Sequence, residues 1–63
     1  MTIEDLYEKC DLINIYTKVF IIDSDRCIKT WGTTYENLTN NICRLLIDHF
    51  TMIGNNEVIV WVP

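Results

Sequence analysis

The sequence predicts a small α+β domain with elements in the order α-β-β-α-β. Three observations predict it. Apolar residues recur at helical spacing from Ile3 to Cys10, the period changes to two from Ile13 onward, and helical spacing returns between Tyr35 and Phe50 before a last alternating run to Val62. At 63 residues the chain has room for one domain, 1–63, and no linker, repeat or low-complexity stretch divides it.

Thr2 and Asp5 match the capping-box pattern, in which a hydroxyl caps backbone N–H groups and an acid three residues on reaches back. Ile3, Leu6, Tyr7 and Cys10 follow at three- to four-residue intervals, so a short amphipathic helix is expected over 3–11. From Ile13 to Ile22, Ile13, Ile15, Thr17, Val19 and Ile21 share one face. Asn14, Tyr16, Lys18, Phe20 and Ile22 share the other, in a run rich in β-branched and aromatic residues that reads as a strand. Asp23, Ser24, Asp25 and Arg26 are turn formers, and Cys27 to Trp31 can return as the second strand of a hairpin.

Gly32 ends that pattern, and Thr33 with Glu36 repeats the capping-box spacing. Tyr35, Leu38, Ile42, Leu45, Leu46, His49 and Phe50 then predict a long amphipathic helix over 34–51, closed by Gly54 and an Asn55–Asn56 turn. Glu57 to Val62 alternates as a third strand. A hairpin followed by a crossover through the long helix gives a three-stranded antiparallel sheet of order 2-1-3, with the long helix on one face and the last strand exposed as an edge.

Composition limits the chemistry. Half of the chain is apolar, yet alanine is absent: the bulk comes from ten Ile, five Leu, four Val and seven aromatic residues. A domain of about 60 residues buries only about 60% of its unfolded surface, so part of this bulk is expected to meet a second copy or another protein. A homodimer follows as an expectation. The net charge of −4 weighs against direct nucleic-acid binding, which draws on Lys and Arg. No apolar run approaches the length that crosses a bilayer, and the acidic opening Glu4, Asp5 does not resemble a secretion signal, so no membrane association and a cytoplasmic location are expected. Cys10, Cys27 and Cys43 are widely spaced and odd in number, which suits reduced thiols.

Catalytic and metal chemistry find little support. The single Ser24 and single His49 fall in a predicted turn and near a predicted helix end, with no pattern joining them as nucleophile and base. Cys43 and His49 stand six apart on the predicted helix and would face different ways. Asp23-Ser24-Asp25 opens like a calcium loop, but Ile28 and Thr34 stand where such a loop needs Gly and Glu. The reading is therefore non-enzymatic, with no cofactor and no metal.

What remains is surface. Tyr16, Trp31 and Trp61 are large amphipathic side chains of the kind that anchor interfaces. Glu4, Asp5 and Glu8 make an acidic patch on the first helix that would suit a basic partner. Absent Ala and Gln beside ten Ile and six Asn indicate an AT-rich genome. In length and composition the chain resembles short accessory proteins carried by phages of low-GC bacteria, many of which inhibit host or defence enzymes, anti-CRISPR proteins among them. That resemblance implies a small inhibitor that binds a bacterial host or defence protein. The alternative is a dimeric ligand-binding or regulatory module with a pocket lined by Tyr16, Trp31 or Trp61.

Overall fold

The computed structural model describes residues 1–63. Thr2 opens helix α1 (Ile3–Lys9) with both halves of the expected capping box: its hydroxyl accepts from Asp5 N–H at 3.2 Å, and its own N–H donates to Asp5 Oδ2 at 2.9 Å. The helix is short, and its place in the fold comes from Ile3 and Leu6, both fully buried against the sheet.

Four strands follow: β1 (Lys18–Ile22), β2 (Ile28–Thr33), β3 (His49–Met52) and β4 (Glu57–Trp61). The sheet is mixed, with order β2-β1-β4-β3. β1 pairs antiparallel with β2 and parallel with β4, and β3 pairs antiparallel with β4. The domain is α+β as predicted, but its sheet is neither three-stranded nor antiparallel throughout.

The largest departure is the expected helix over 34–51. It is replaced by a 3-10 turn at Tyr35–Asn37, a single helical turn α2 (Asn40–Cys43), an extended segment and strand β3. Thr33 and Glu36 do form reciprocal capping bonds, Thr33 N–H to Glu36 Oε1 at 3.0 Å and Glu36 N–H to Thr33 Oγ1 at 3.2 Å, but the helix they start ends at once. The residues explain why. Asn37, Thr39, Asn40 and Asn41 are weak helix formers gathered in five positions. Asn37 is buried and spends its amide on the sheet, donating to Thr33 O at 2.9 Å and accepting from Thr30 Oγ1 at 3.1 Å. From Leu45 the true period is two: Leu45 and Ile47 pack against the core while Leu46 and Asp48 are exposed.

That extra strand also reverses the direction of the last one. With a helix over 34–51, the final strand would run antiparallel to β1; with β3 inserted at the outside of the sheet, the chain turns once more and β4 returns parallel to β1. Gly54 and Asn56, both with positive φ near 60°, form this β3–β4 turn. β4 is therefore an inner strand, and the edges are β2 and β3.

β1 is also shorter than the period-two run suggested. Asn14 to Thr17 forms a turn, because Asn14 Oδ1 accepts from Tyr16 N–H at 2.8 Å and Thr17 Oγ1 accepts from Asn14 N–H at 2.9 Å. Ile15 is left exposed instead of lying beside Ile13 and Val19. The hairpin turn falls at Asp23–Arg26 as expected, with Asp23 Oδ1 accepting from the N–H groups of Asp25 and Cys27. β2 continues past Trp31 through Gly32 to Thr33.

The core joins Ile3, Leu6 and Ile13 to Val19 and Ile21 of β1 and to Val58, Val60 and Val62 at and beyond β4. Tyr7, Ile42, Leu45, Ile47 and Met52 pack around it. These residues lie on one side of the sheet.

Candidate interaction surface

The other side of the sheet follows from register. Lys18, Phe20 and Ile22 alternate with the buried residues of β1, and Glu57, Ile59 and Trp61 do the same on β4. Pairing aligns them in rows across the strands, in register between β1, β4 and β3, while a bulge in the β1–β2 pairing at Ile21–Ile22 brings Ile28 opposite Ile22. Trp31, Phe20, Ile59 and Thr51 form the central row; Ile28, Ile22, Trp61 and His49 form the next, toward the hairpin turn. Each row crosses all four strands.

This face carries apolar bulk with little to cover it. Trp31 is 64% exposed and Ile28 59% exposed, while Phe20, Ile22, Ile59 and Trp61 are half-buried by their neighbours in the sheet. Buried β1 and β4 residues of this size on one face, and half-buried ones on the other, make these two strands apolar on both sides. His49 completes the second row by stacking on Trp61, with ring centroids 4.3 Å apart and planes 12° apart.

A second exposed apolar cluster sits at the end of the sheet where β1 begins. Tyr16 is 73% exposed and Tyr35 69% exposed. The backbone joins their loops, since Tyr35 N–H donates to Ile15 O at 3.1 Å and Thr34 N–H donates to Thr17 O at 2.7 Å. Ile15 and Leu38, next to Tyr16 and three residues after Tyr35 in the chain, are exposed as well. Side-chain hydrogen bonds brace this loop end: the buried Thr17 Oγ1 donates to Asn56 Oδ1 at 2.7 Å, and the exposed Asn56 Nδ2 donates to Tyr16 O at 3.2 Å. Tyr35 and the contact between its loop and that of Tyr16 were missed at the sequence level, where Tyr35 reads as a helix-core residue.

The three sequence-selected aromatics are thus separated. Trp31 and Trp61 share the open sheet face on different strands, and Tyr16 belongs to the loop end. Trp61 lies within the sheet instead of on its edge. On α1, Glu4 and Glu8 are exposed one turn apart, while Asp5 is engaged by Thr2; those bonds lower its pKa from the ordinary carboxylate value.

The fold also brings Ser24 and His49 to one shallow cleft of about 590 Å³, together with Asp23, Arg26, Asp48 and Trp61. His49 Nδ1 lies 3.1 Å from Asp48 Oδ2, and both side chains are largely exposed. Ser24 makes no hydrogen bond to the imidazole, so the nucleophile–base contact that defines an acyl-transfer site is missing. The three cysteines are unpaired, and burial together with the Glu4 charge pushes the Cys43 thiol pKa up, away from nucleophilic character. No group of three or more His, Cys, Asp or Glu side chains is placed to hold a metal ion, and no helix is long and apolar enough to cross a membrane.

No family model, no curated protein and no solved structure matches this chain.

Proposed function

We propose that this chain is a non-enzymatic interaction protein that acts by occupying another protein's surface. The observation that carries the reading is the pair of separate apolar surfaces on a domain of 63 residues: a sheet face crossed by Trp31 and Trp61, and a rigid loop end bearing Tyr16 and Tyr35. Self-association needs one such surface. The loop end, with two tyrosines of the type that anchor interfaces, is the surface for a different protein. Glu4 and Glu8 add negative charge on α1 and favour a basic target.

The AT-rich composition and short length support placing it on a phage or mobile element, where it would bind and block a bacterial host or defence protein. The test compares tagged wild-type protein with a Tyr16→Ser/Tyr35→Ser variant in nuclease-treated lysate of a low-GC bacterium. The expected result is one near-stoichiometric protein retained by the wild type, lost from the variant and inhibited by the purified wild type. Absence of any such protein would overturn the reading. The cleft beside the His49–Trp61 stack favours a ligand-binding module as the second reading, for which a small molecule would copurify and be displaced by His49→Ala.

A further inference from the structure

We infer that the open sheet face is occupied by a second copy of this chain, packed face to face about a two-fold axis that runs along the strands between β1 and β4. The inference concerns a different surface from the loop end, and the two can fail separately.

The central strands β1 and β4 pair parallel and in register. Lys18 lies beside Glu57, Phe20 beside Ile59 and Ile22 beside Trp61. All six side chains belong to the open face. A two-fold axis along the strands lays β1 of one copy over β4 of the other and keeps each row opposite its own counterpart. Lys18 then faces Glu57 of the second copy, and Glu57 faces its Lys18. Phe20 meets Ile59 in the centre, Ile22 meets Trp61, and Trp31 of the edge strand covers Thr51.

Charge selects this axis over the alternative. A two-fold axis across the strands would lay each row over the opposite end of the second sheet, setting Lys18 and Glu57 against the apolar Ile22–Trp61 row, where both charges lose water and face no opposite charge on the second copy. Along the strands, each central-strand charge meets its opposite. Lys18 and Glu57 make no ion pair within their own chain, where the one close contact of opposite groups is His49 with Asp48. Both are therefore free to pair across the interface, and the aligned arrangement agrees with the small angle at which twisted sheets stack.

Size sets the strength. Four strands at about 4.8 Å spacing and five residues at about 3.3 Å rise give a face of roughly 19 by 17 Å. That buries about 320 Å² on each copy and about 650 Å² in all, below the area of a stable specific interface, so the dimer is a weak one that forms only at high protein concentration.

The experiment is sedimentation equilibrium over a concentration series with wild type, Lys18→Glu, Glu57→Lys and an equimolar mixture of the two variants, with circular dichroism showing that each is folded. Each single variant places like charges opposite each other twice in its homodimer, and its dissociation constant should rise by at least about ten-fold. In the mixed dimer the variant chains regain opposite charges at both positions, so mixing should restore association. Trp31→Ser, which alters an exposed side chain and leaves the core intact, should weaken dimers of both kinds. A wild type that remains monomeric at millimolar concentration would overturn the inference. So would single variants that dimerise as tightly as wild type, or a mixture no tighter than its components. Loss of target capture by the Tyr16/Tyr35 variant with dimerisation intact would separate the two surfaces.

Discussion

The imidazole of His49 lies flat against the indole of Trp61, its antiparallel partner on β4, at a centroid distance of 4.3 Å. A directly opposed aromatic pair is worth about 0.5–1.5 kcal/mol beyond the area it buries. Here it fastens the four-residue edge strand β3 to the inner strand β4 at the end nearest the hairpin turn.

His49→Ala should therefore lower stability by about 1 kcal/mol, and the melting temperature by about 4–8 °C for a domain of this size. Thermal unfolding followed by far-UV circular dichroism checks it. Hydrogen exchange should show the loss concentrated in the β3 amides paired with β4, while α1 keeps its protection. A uniform change across the domain would mean that the stack does not hold this edge.

Thr17 is fully buried and serves three residues at once. Its hydroxyl accepts from Asn14 N–H and donates to Asn56 Oδ1, while its backbone carbonyl accepts from Thr34 Oγ1 at 3.0 Å. Thr17→Val keeps the shape and removes only the hydroxyl, leaving Asn14 N–H and Asn56 Oδ1 without a partner. Asn14 and Asn56 are exposed and water can reach them, so the expected cost is about 1 kcal/mol, with faster exchange at the Asn14 and Tyr16 amides. Because this network orders the Tyr16 loop, target capture should weaken more than dimerisation does.

Acid should loosen two caps. Asp5 is held below its ordinary pKa by hydrogen bonds from the backbone and side chain of Thr2, and Glu36 by those from Thr33. A carboxylate whose pKa is lower in the folded state stabilises it fully above the unfolded value of about 4. That contribution disappears as pH falls through the lower folded value. Melting temperature should fall below pH 4, and Asp5→Asn and Glu36→Gln should each flatten that fall while lowering stability near neutrality. An unchanged slope in both variants would remove these carboxylates as its cause.

The parts of the fold legible in the sequence are those where one local signal stands alone. Thr2 with Asp5 set the start of α1, the Asp23–Arg26 cluster set the hairpin, and alternation of Val58 and Val60 with Ile59 and Trp61 identified β4. The segment from Tyr35 to Phe50 reads as a helix in the sequence because Leu45, Leu46, His49 and Phe50 satisfy helical spacing as well as they satisfy a strand with an irregular approach. The deciding facts are tertiary. Asn37 is drawn into the sheet by Thr30 and Thr33, and Leu46 forms a bridge with Thr2 beside the start of α1. The surface suffered the same limit: Trp31 and Trp61 were recognised as contact residues, but their common face needed the β1–β4 register, which depends on β3.

Gly32 shows how closely the irregular segment is tied to the sheet. It lies in β2 opposite Val19, with φ of 137°, and its missing side chain leaves room for the turn that follows. A Cβ there would come within 3.2 Å of Glu36 Oε1 and 3.4 Å of Asn37 Nδ2, the two side chains that cap the turn and brace it against β2. Gly32→Ala thus combines an unfavourable backbone region, at about 1–3 kcal/mol, with displacement of those caps. Urea unfolding should show a loss of at least about 2 kcal/mol, a large part of the total for a scaffold this small. The Thr33 and Glu36 amides should lose protection first, because the clash falls on the groups that bond them. If Gly32→Ala is as stable as wild type, β2 and the Tyr35 loop are free to separate, and Tyr35 then lacks the rigid placement beside Tyr16 on which the loop-end surface depends.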